Sequence, residues 1–172
     1  LSKNALIEGN TIWSNGFNLG YDGQAPTSTI VPPHWALGAG VYILQSDDVT
    51  IRNNLIAYNA DGVTVWSDSR WDHTVSGIVV TGNDILTRQN AGSAHAIAWL
   101  TTREHAGAPQ GVLGAGNRGE NNRFYMEGGA SLVWNNQYFP DVVSFGSTPG
   151  GIGSSLISPA TATALTSGLT GI

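Results

Sequence analysis

Cysteine is absent from this chain of 172 residues, and charged residues make up only 11% of it. Without cysteine there can be no disulfide bonds and no thiolate metal sites, so the fold must be stabilised by packing and hydrogen bonding. The 7 Lys and Arg stand against 12 Asp and Glu, which gives a net charge of −5 without a basic patch. Because binding to phosphates requires clustered Lys or Arg, we expect no nucleic acid partner.

Long hydrophobic runs are also lacking. No stretch reaches the roughly 18 consecutive apolar residues of a transmembrane helix, so we expect no membrane partner. No signal peptide is visible, and the chain begins with Leu1 rather than Met, which indicates a mature form or a fragment without its upstream targeting sequence. None of the 14 asparagines lies in an Asn-x-Ser/Thr acceptor, which favours a bacterial source.

Turn-forming residues are abundant instead. The sequence contains 23 Gly and 14 Asn beside 41% hydrophobic residues. This composition favours a turn-rich all-β chain over a helical or a disordered one. The length suits a single domain with one continuous core.

The stretch 48–66, DVTIRNNLIAYNADGVTVW, organises the rest of the chain. Apolar and polar residues alternate in it with the period of two that is typical of strands with one buried face. Asn54 and Asn59 stand where the chain must turn, since asparagine tolerates left-handed backbone angles, and Gly62 provides the last corner. The candidates for the buried face are Val49, Ile51, Ile56, Val63 and Val65.

The step Asn54-x-Ile56 recurs along the chain. Its copies are Asn10-x-Ile12, Asn83-x-Ile85 and Asn122-x-Phe124. In three of the four copies an aliphatic residue precedes the asparagine by three positions, whereas Gly119 breaks the pattern. These aliphatic residues are Ile7, Ile51 and Val80. A single coil cannot bury its own apolar face, so we expect the copies to stack, with loops of different length between them and with the asparagines forming amide ladders.

These repeats resemble the right-handed parallel β-helix superfamily of pectate-lyase-like solenoids, whose degenerate motif is I-x-x-N-x-I-x-x-N-x-x-G-[IV]. The best copies here are IRNNLIAYNADGV (51–63) and IEGNTIWSNGF (7–17). The resemblance implies an all-β fold, a right-handed parallel β-helix or single-stranded β-solenoid with long loop insertions. It does not fix an activity, because the superfamily contains lyases, hydrolases, epimerases, phage tailspikes and non-catalytic proteins. Since polar solenoids of this kind are most often exported, we expect an extracellular or cell-surface location.

The repeats predict a solenoid over residues 1–145, with insertions at about 18–38 and 101–121. The first insertion either carries function or covers the first coil. Residues 146–172 are interpreted as a C-terminal extension that is not a helix by pattern. Candidates for the start of a further coil are Val142, Val143 and Phe145.

Tryptophans provide the candidate binding face. Trp66 and Trp134 each follow a valine that should point inward, so both are expected to point outward on the same strand face. Trp99, in the strand expected next to Val63–Val65, points either inward with Ile97 or outward beside Trp66. A row of exposed indoles suits stacking on sugar rings, and the opposing interpretation is core or loop packing. With a polysaccharide as the expected partner, the candidate substrate-binding residues are Trp66, Trp99, Trp134 and Trp35.

Ionisable side chains suggest where catalysis could occur. The candidate catalytic residues are Asp68, Arg70, Asp72 and His95. The resemblance implies one of two mechanisms. Lyases of the superfamily neutralise a uronate with Ca²⁺ or a basic residue and abstract a proton with Arg or Lys, whereas its hydrolases use paired carboxylates. The opposing interpretation of Arg70 and Asp72 is an exposed ion pair in a loop. No two histidines have metal-ligand spacing and no stacked Ca²⁺ site is evident, so no cofactor is predicted, while Ca²⁺ binding stays an open alternative.

Two functions fit these patterns. The first is an extracellular protein that binds a polysaccharide on the tryptophan face, with cleavage of lyase or hydrolase type left open. The second is a non-catalytic structural or surface module, either a fragment of a larger protein or a subunit that stacks end to end into filaments. The second draws on the first coil, which no capping helix precedes. Whether the chain is an enzyme stays open at this point.

Overall fold

The computed structural model of the protein describes residues 3–13, 38–59, 61–69, 74–87, 95–103, 106–127 and 131–169. Within these ranges the protein is an all-β molecule of mostly parallel strands with two short helices. The predicted insertion at 18–38 lies outside the described residues except for Gly38.

The strands are short, as the close spacing of the asparagine corners requires. In chain order the elements are β1 (Leu6–Glu8), β2 (Thr11–Trp13), β3 (Ala39–Leu44), β4 (Thr50–Arg52), β5 (Leu55–Ala57), β6 (Asp61–Ser67), β7 (Thr74–Val75), β8 (Val79–Thr81), β9 (Asp84–Thr87), β10 (His95–Thr101), β11 (Val112–Leu113), β12 (Arg118–Glu120), β13 (Arg123–Met126), β14 (Ser131–Trp134), β15 (Gln137–Phe139), α1 (Val142–Phe145), β16 (Ser155–Leu156) and α2 (Pro159–Thr166).

Successive groups of three strands stack as rungs. The rungs are β1-β2-β3, β4-β5-β6, β8-β9-β10 and β12-β13-β14, and each contributes one strand to each of three sheets. The first sheet has the order β1-β4-β8-β12, the second β16-β13-β9-β5-β2 and the third β15-β14-β10-β6-β3, while β7 and β11 form a separate pair. All neighbouring strands are parallel except β14 and β15. This arrangement is compatible with a β-helix.

The register of the sheets confirms the repeat alignment. In the second sheet the residues two positions after the anchoring asparagines are opposite one another; they are Ile12, Ile56, Ile85 and Phe124. In the first sheet the preceding positions form a second column; they are Ile7, Ile51, Val80 and Gly119. The sequence repeat therefore corresponds to the physical repeat of the stack.

The five side chains predicted to face inward from the stretch 48–66 all lie in the core. They are Val49, Ile51, Ile56, Val63 and Val65. None of them is more than 1% exposed. Burying one such side chain stabilises the folded state by about 1.5–3 kcal/mol, so these aliphatic residues contribute substantially to the stability of a chain without disulfides.

Asparagines form the predicted ladder at one corner. The side-chain Nδ2 of each donates to Oδ1 of the next, at 3.1 Å from Asn10 to Asn54, 2.9 Å from Asn54 to Asn83 and 3.0 Å from Asn83 to Asn122. The backbone N–H of each donor residue binds the same Oδ1 at 2.9 to 3.1 Å. Because burial of an unpaired amide is costly, this pairing explains why asparagine can occupy the buried corners at Asn54, Asn83 and Asn122.

Gly119 interrupts the aliphatic column for a steric reason. It lies opposite Val80, and a Cβ at Gly119 would be 2.1 Å from the carbonyl oxygen of Gly150. The N–H of Gly119 donates to the carbonyl of Pro149 at 2.8 Å. The backbone of the C-terminal segment therefore occupies the space that an aliphatic side chain would fill.

The prediction that Val142, Val143 and Phe145 start a further coil is wrong. They form α1, which Asp141 caps by accepting a hydrogen bond from the backbone N–H of Ser144 at 2.7 Å. The helix places Phe145, which is fully buried, 6.4 Å from the ring of Phe124 and 5.7 Å from the ring of Phe139. These aromatic contacts close the core beyond the fourth rung.

The predicted extension 146–172 contains regular structure. β16 pairs with β13 and so adds a fifth strand to the second sheet. The prediction that this region is not helical is wrong for Pro159–Thr166, which forms α2 with Ser158 as its N-cap. Only Ala162 of α2 is buried, so the helix has no apolar stripe from which periodicity could reveal it. Residues 101–121, interpreted as a loop, likewise contain β11 and β12.

Candidate functional site

A pocket of about 330 Å³ lies where β10 and β14 end beside β11. It combines an indole and two aliphatic side chains with amide and hydroxyl groups. The residues that line it are Thr101, Gln110, Gly111, Val112, Leu113, Trp134 and Asn135. Sequence reasoning identified only Trp134 among them, because the others lie in the stretch interpreted as a loop or in a turn.

Trp134 forms the aromatic wall of this pocket. It lies opposite Trp99 in the third sheet, and the two ring centroids are 5.0 Å apart with planes inclined at 57°. Trp99 is fully buried, whereas Trp134 is only partly buried. The indole of Trp134 is thus held by the core and still lines a cavity.

The polar groups of the pocket are held by hydrogen bonds. Gln110 Nε2 donates to Thr101 Oγ1 at 3.1 Å. Asn136 Nδ2 donates to the carbonyl of Thr101 at 2.8 Å, and Asn136 Oδ1 accepts from the Thr101 N–H at 2.9 Å. Thr101 therefore has a fixed position at the end of β10.

Asn135 reaches the pocket through a tight turn. Asn135 and Asn136 connect β14 to β15, and their φ angles are 49° and 65°. A two-residue hairpin with positive φ at both positions matches the twist of the strands, and asparagine is one of the few residues that tolerates it. The turn thereby fixes one lining residue and supports Thr101 with the other.

The predicted row of outward tryptophans is wrong. Trp66 does point outward, in a cluster with Ala98, Leu100 and Val133, but it lies opposite Leu100 and is 3% exposed. Its Nε1 donates to Thr102 Oγ1 at 2.7 Å. This residue is packed rather than presented to a ligand, and Trp35 lies outside the described residues.

An unequal spacing explains the difference between Trp66 and Trp134. Leu132 and Val63 both lie opposite Ile97, but Leu132 follows its anchoring asparagine by ten residues and Val63 by nine. Trp134 is therefore in line with Trp99 and packs against the core, whereas Val133 lies in the outward cluster. A shift of one residue turns every following side chain to the opposite face. Of the two orientations left open for Trp99, the inward one beside Ile97 is correct.

The predicted catalytic group is not brought together. Asp68 follows the end of β6, whereas His95 begins β10, and Thr101 at the other end of β10 lies opposite Ser67. Six residue steps of strand correspond to about 20 Å. Grouping Asp68 with His95 is therefore wrong, and Arg70 and Asp72 lie outside the described residues.

Asp68 is a buried carboxylate beside the pocket. Its side chain is 2% exposed, and its Oδ1 accepts a hydrogen bond from Gln45 Nε2 at 3.1 Å. The Nε2 of Gln45 also donates to the Asp68 carbonyl. Asp68 adjoins Gly111, since a Cβ at Gly111 would be 3.0 Å from the Cα of Asp68.

His95 belongs to a second buried cluster. Oδ1 of Asp61 accepts from the backbone N–H of His95 at 2.7 Å and lies 3.1 Å from its ring Nδ1. Oδ2 of Asp61 accepts from Thr64 Oγ1 at 3.2 Å, and the ring of Tyr138 is 5.9 Å from that of His95. A carboxylate paired with imidazole fixes the orientation of the ring, as acid–base chemistry requires.

Sequence reasoning missed Asp61 as the partner of His95. Asp61 precedes Val63 by two residues, and His95 precedes Ile97 by two. Val63 and Ile97 are opposite each other in the third sheet, so the equal spacing places Asp61 and His95 side by side. Aligning the starts of the two strands would have paired the carboxylate with the imidazole.

In the described part of the chain, no group of three or more His, Asp or Glu side chains could hold a metal ion. The helices of this part are too short and too polar to cross a bilayer. No protein-family model, curated protein or solved structure matches the chain significantly.

Proposed function

We propose that this protein is a right-handed parallel β-helix of the pectate-lyase-like type that binds a polysaccharide outside the cell. The topology supports the β-helix, because rungs of three parallel strands recur with matched columns of aliphatics and asparagines. Crossover connections between parallel strands of one sheet are almost always right-handed. The extracellular location rests on the polar, lysine-poor composition alone.

The observation that carries the binding function is the Trp134 pocket. A partly buried indole faces a set of amide and hydroxyl groups there. An indole presents a flat apolar face to the C–H groups of a sugar ring, while amides and hydroxyls can both donate and accept hydrogen bonds. The volume is at the lower end of the range of about 300–1,000 Å³ for small-molecule sites, so the pocket suits a short part of a longer glycan.

Catalysis is not part of the proposed role of this pocket. The acid–base pair with favourable geometry, Asp61 and His95, lies at the opposite end of β10 from Thr101. Asp68 is near the pocket, but its carboxylate is engaged by Gln45. We assign the pocket binding, and assays for reducing ends and for unsaturated products on any bound glycan decide whether cleavage accompanies it.

The test is a binding screen with variants. Wild-type protein is titrated calorimetrically with a panel of oligosaccharides beside Trp134→Ala and Gln110→Ala. Gln110→Ala removes a lining side chain without disturbing the Trp99 contact. The matched control is Trp13→Ala, because Trp13 is an indole that is 38% exposed and does not line the pocket. Binding that Trp13→Ala preserves and Gln110→Ala weakens supports the proposal; binding indifferent to the pocket variants contradicts it.

The alternative is a structural module that stacks end to end. In its favour, Leu6 is 55% exposed and Trp13 38% exposed on the first rung, where sheet edges are unpaired in the described part of the chain. Against it, the opposite end of the third sheet terminates in the antiparallel strand β15, so a parallel stack does not continue through that edge. Light scattering over a range of concentrations distinguishes a filament from a discrete particle.

A further inference from the structure

We infer that the Trp134 pocket selects an uncharged sugar residue and rejects uronates. This inference rests on the proposed binding function and specifies its substrate class. It concerns charge, because the polysaccharides that a binding site must discriminate differ most strongly in whether their sugar rings carry a carboxylate.

The described wall of the pocket is polar but uncharged. The described lining residues carry hydroxyl, amide, aliphatic and indole groups and no formal charge. A buried carboxylate without a charged or strongly donating partner is costly, because desolvation disfavours the ionised form. Uncharged sugar hydroxyls, in contrast, find the donors and acceptors of Gln110, Thr101 and Asn135 at the same surface.

The described cations lie elsewhere, and most of them are paired. Four of the five described Lys and Arg side chains form ion pairs with carboxylates of this chain; they are Lys3 with Asp47, Arg52 with Glu8, Arg118 with Glu120 and Arg123 with Asp84. The fifth, Arg103, is exposed and is not among the described lining residues. No cation in the described part of the chain therefore lines this pocket.

The electrostatic field of the whole protein also disfavours uronates. The net charge of −5 repels a polyuronate, which carries one negative charge on each sugar residue. Salt screens this long-range repulsion, but it does not remove the cost of placing a carboxylate in a pocket without a charged partner. Neutral glycans are subject to neither effect.

The test compares glycans that differ in the carboxylate. Neutral oligosaccharides with β-1,4-linked glucose, xylose or mannose are titrated beside oligogalacturonate and oligoalginate of the same length, at two salt concentrations. Each titration is repeated with added Ca²⁺ and with a chelator, because Ca²⁺ could bridge a carboxylate to the protein. The expected result is binding of at least one neutral series, weakened about tenfold by Gln110→Ala, and no uronate binding in any condition.

A charge-introducing variant sharpens the comparison. Gln110→Lys places an ammonium at the pocket wall, and we expect it to gain uronate binding that weakens at higher salt and to lose neutral binding. Thermal unfolding of each variant shows that loss of binding is not loss of fold, and Trp13→Ala serves as the unaltered reference.

The outcomes separate the two levels of the proposal. If the wild type binds uronates and Gln110→Ala abolishes that binding, the neutral selectivity is overturned, while the pocket remains a glycan site. Failure of every glycan to bind overturns the binding function, and the inference with it. Neutral binding that Gln110→Ala leaves unchanged places the glycan elsewhere and overturns both.

Discussion

Trp99 and Trp134 lie opposite each other on neighbouring strands, with ring centroids 5.0 Å apart and planes inclined at 57°. Gly150 adjoins both rings, since a Cβ there would be 2.4 Å from Trp134 Cε3 and 3.1 Å from Trp99 Nε1. One indole is therefore part of the core and the other is a wall of the pocket, held by the same contact. This relationship couples the closure of the stack to the candidate binding site.

We predict that Asn83→Ala destabilises the fold more than Asn10→Ala. Asn83 is fully buried, donates to Asn122 Oδ1 and to the Ile51 carbonyl, and accepts from Asn54. Removing it leaves several buried groups unpaired, at about 1–3 kcal/mol for each, so we expect a loss of about 3 kcal/mol in the free energy of unfolding.

The measurement for the ladder is urea denaturation. Asn10 is exposed at the end of the ladder, so Asn10→Ala should cost about 1 kcal/mol. Equal losses for the two variants would show that the ladder contributes no more in its middle than at its end.

We predict that Gly119→Ala destabilises the C-terminal closure of the stack. The added Cβ would meet the backbone oxygen of Gly150 at 2.1 Å, and a backbone atom cannot move away as easily as a flexible side chain. Overpacking of this kind costs about 1–3 kcal/mol. Thermal unfolding measures the loss, and limited proteolysis should cleave within 146–158 earlier than in the wild type.

The matched control for this prediction is Gly168→Ala. No atom lies within 4 Å of a Cβ at Gly168, so its effect should remain within about 0.5 kcal/mol. If Gly119→Ala left the thermal stability unchanged, the segment 149–150 would not occupy the aliphatic column.

We predict that Asp61→Asn lowers stability by about 2–4 kcal/mol. Both oxygens of Asp61 accept hydrogen bonds in a fully buried position, from His95 and Thr64. An asparagine amide has only one oxygen acceptor, and its NH₂ group would face a hydrogen-bond donor of His95 or Thr64. Chemical denaturation checks the value, and Thr64→Val, which removes a single donor, should cost less than half as much.

We predict a pH dependence at the cap of α1. The backbone N–H of Ser144 and then its hydroxyl donate to Asp141, and these hydrogen bonds lower the pKa of that carboxyl from its ordinary value of 3.8. A lowered pKa in the folded state means that the carboxylate stabilises the fold above the unfolded pKa, and that this contribution disappears as the pH falls through the folded pKa.

The comparison for this prediction is Asp141→Asn. Asparagine is an equally good N-cap but does not titrate. The stability of the wild type relative to the variant should be constant near neutral pH and should fall as the pH drops below 3.8. Asp141→Ala, which removes the cap, should be less stable than both at neutral pH. A wild type that gains stability relative to Asp141→Asn on acidification would contradict the assignment.

The repeat explains how much of the fold was predictable. The spacing from Ile51 to Asn54 to Ile56 is local, because a short strand, a corner and the next short strand leave little freedom in register. Recurrence of that spacing therefore predicted both the aliphatic columns and the asparagine ladder. Phe145 and its helix were beyond this reasoning, because they close the stack with a structure that does not repeat.

The candidate site was less predictable than the fold. Trp134 was a candidate binding residue, but it was assigned to the wrong face, because equal spacing from the asparagine suggested the same orientation for Trp66 and Trp134. The sequence did not mark Gln110 and Thr101 as site residues, since single polar residues are common in a segment that is interpreted as a loop. Their role depends on a pocket that exists only where three strands meet.

The sequence by itself determined the all-β class, the rungs and their inward columns, because alternation and asparagine corners act over a few residues. Only the tertiary structure decided which face Trp134 takes, because its pairing with Trp99 is set between rungs and not by its distance from Asn122. It also decided how the stack ends, because the backbone at Gly150 lies against Gly119 through contacts that no local pattern encodes.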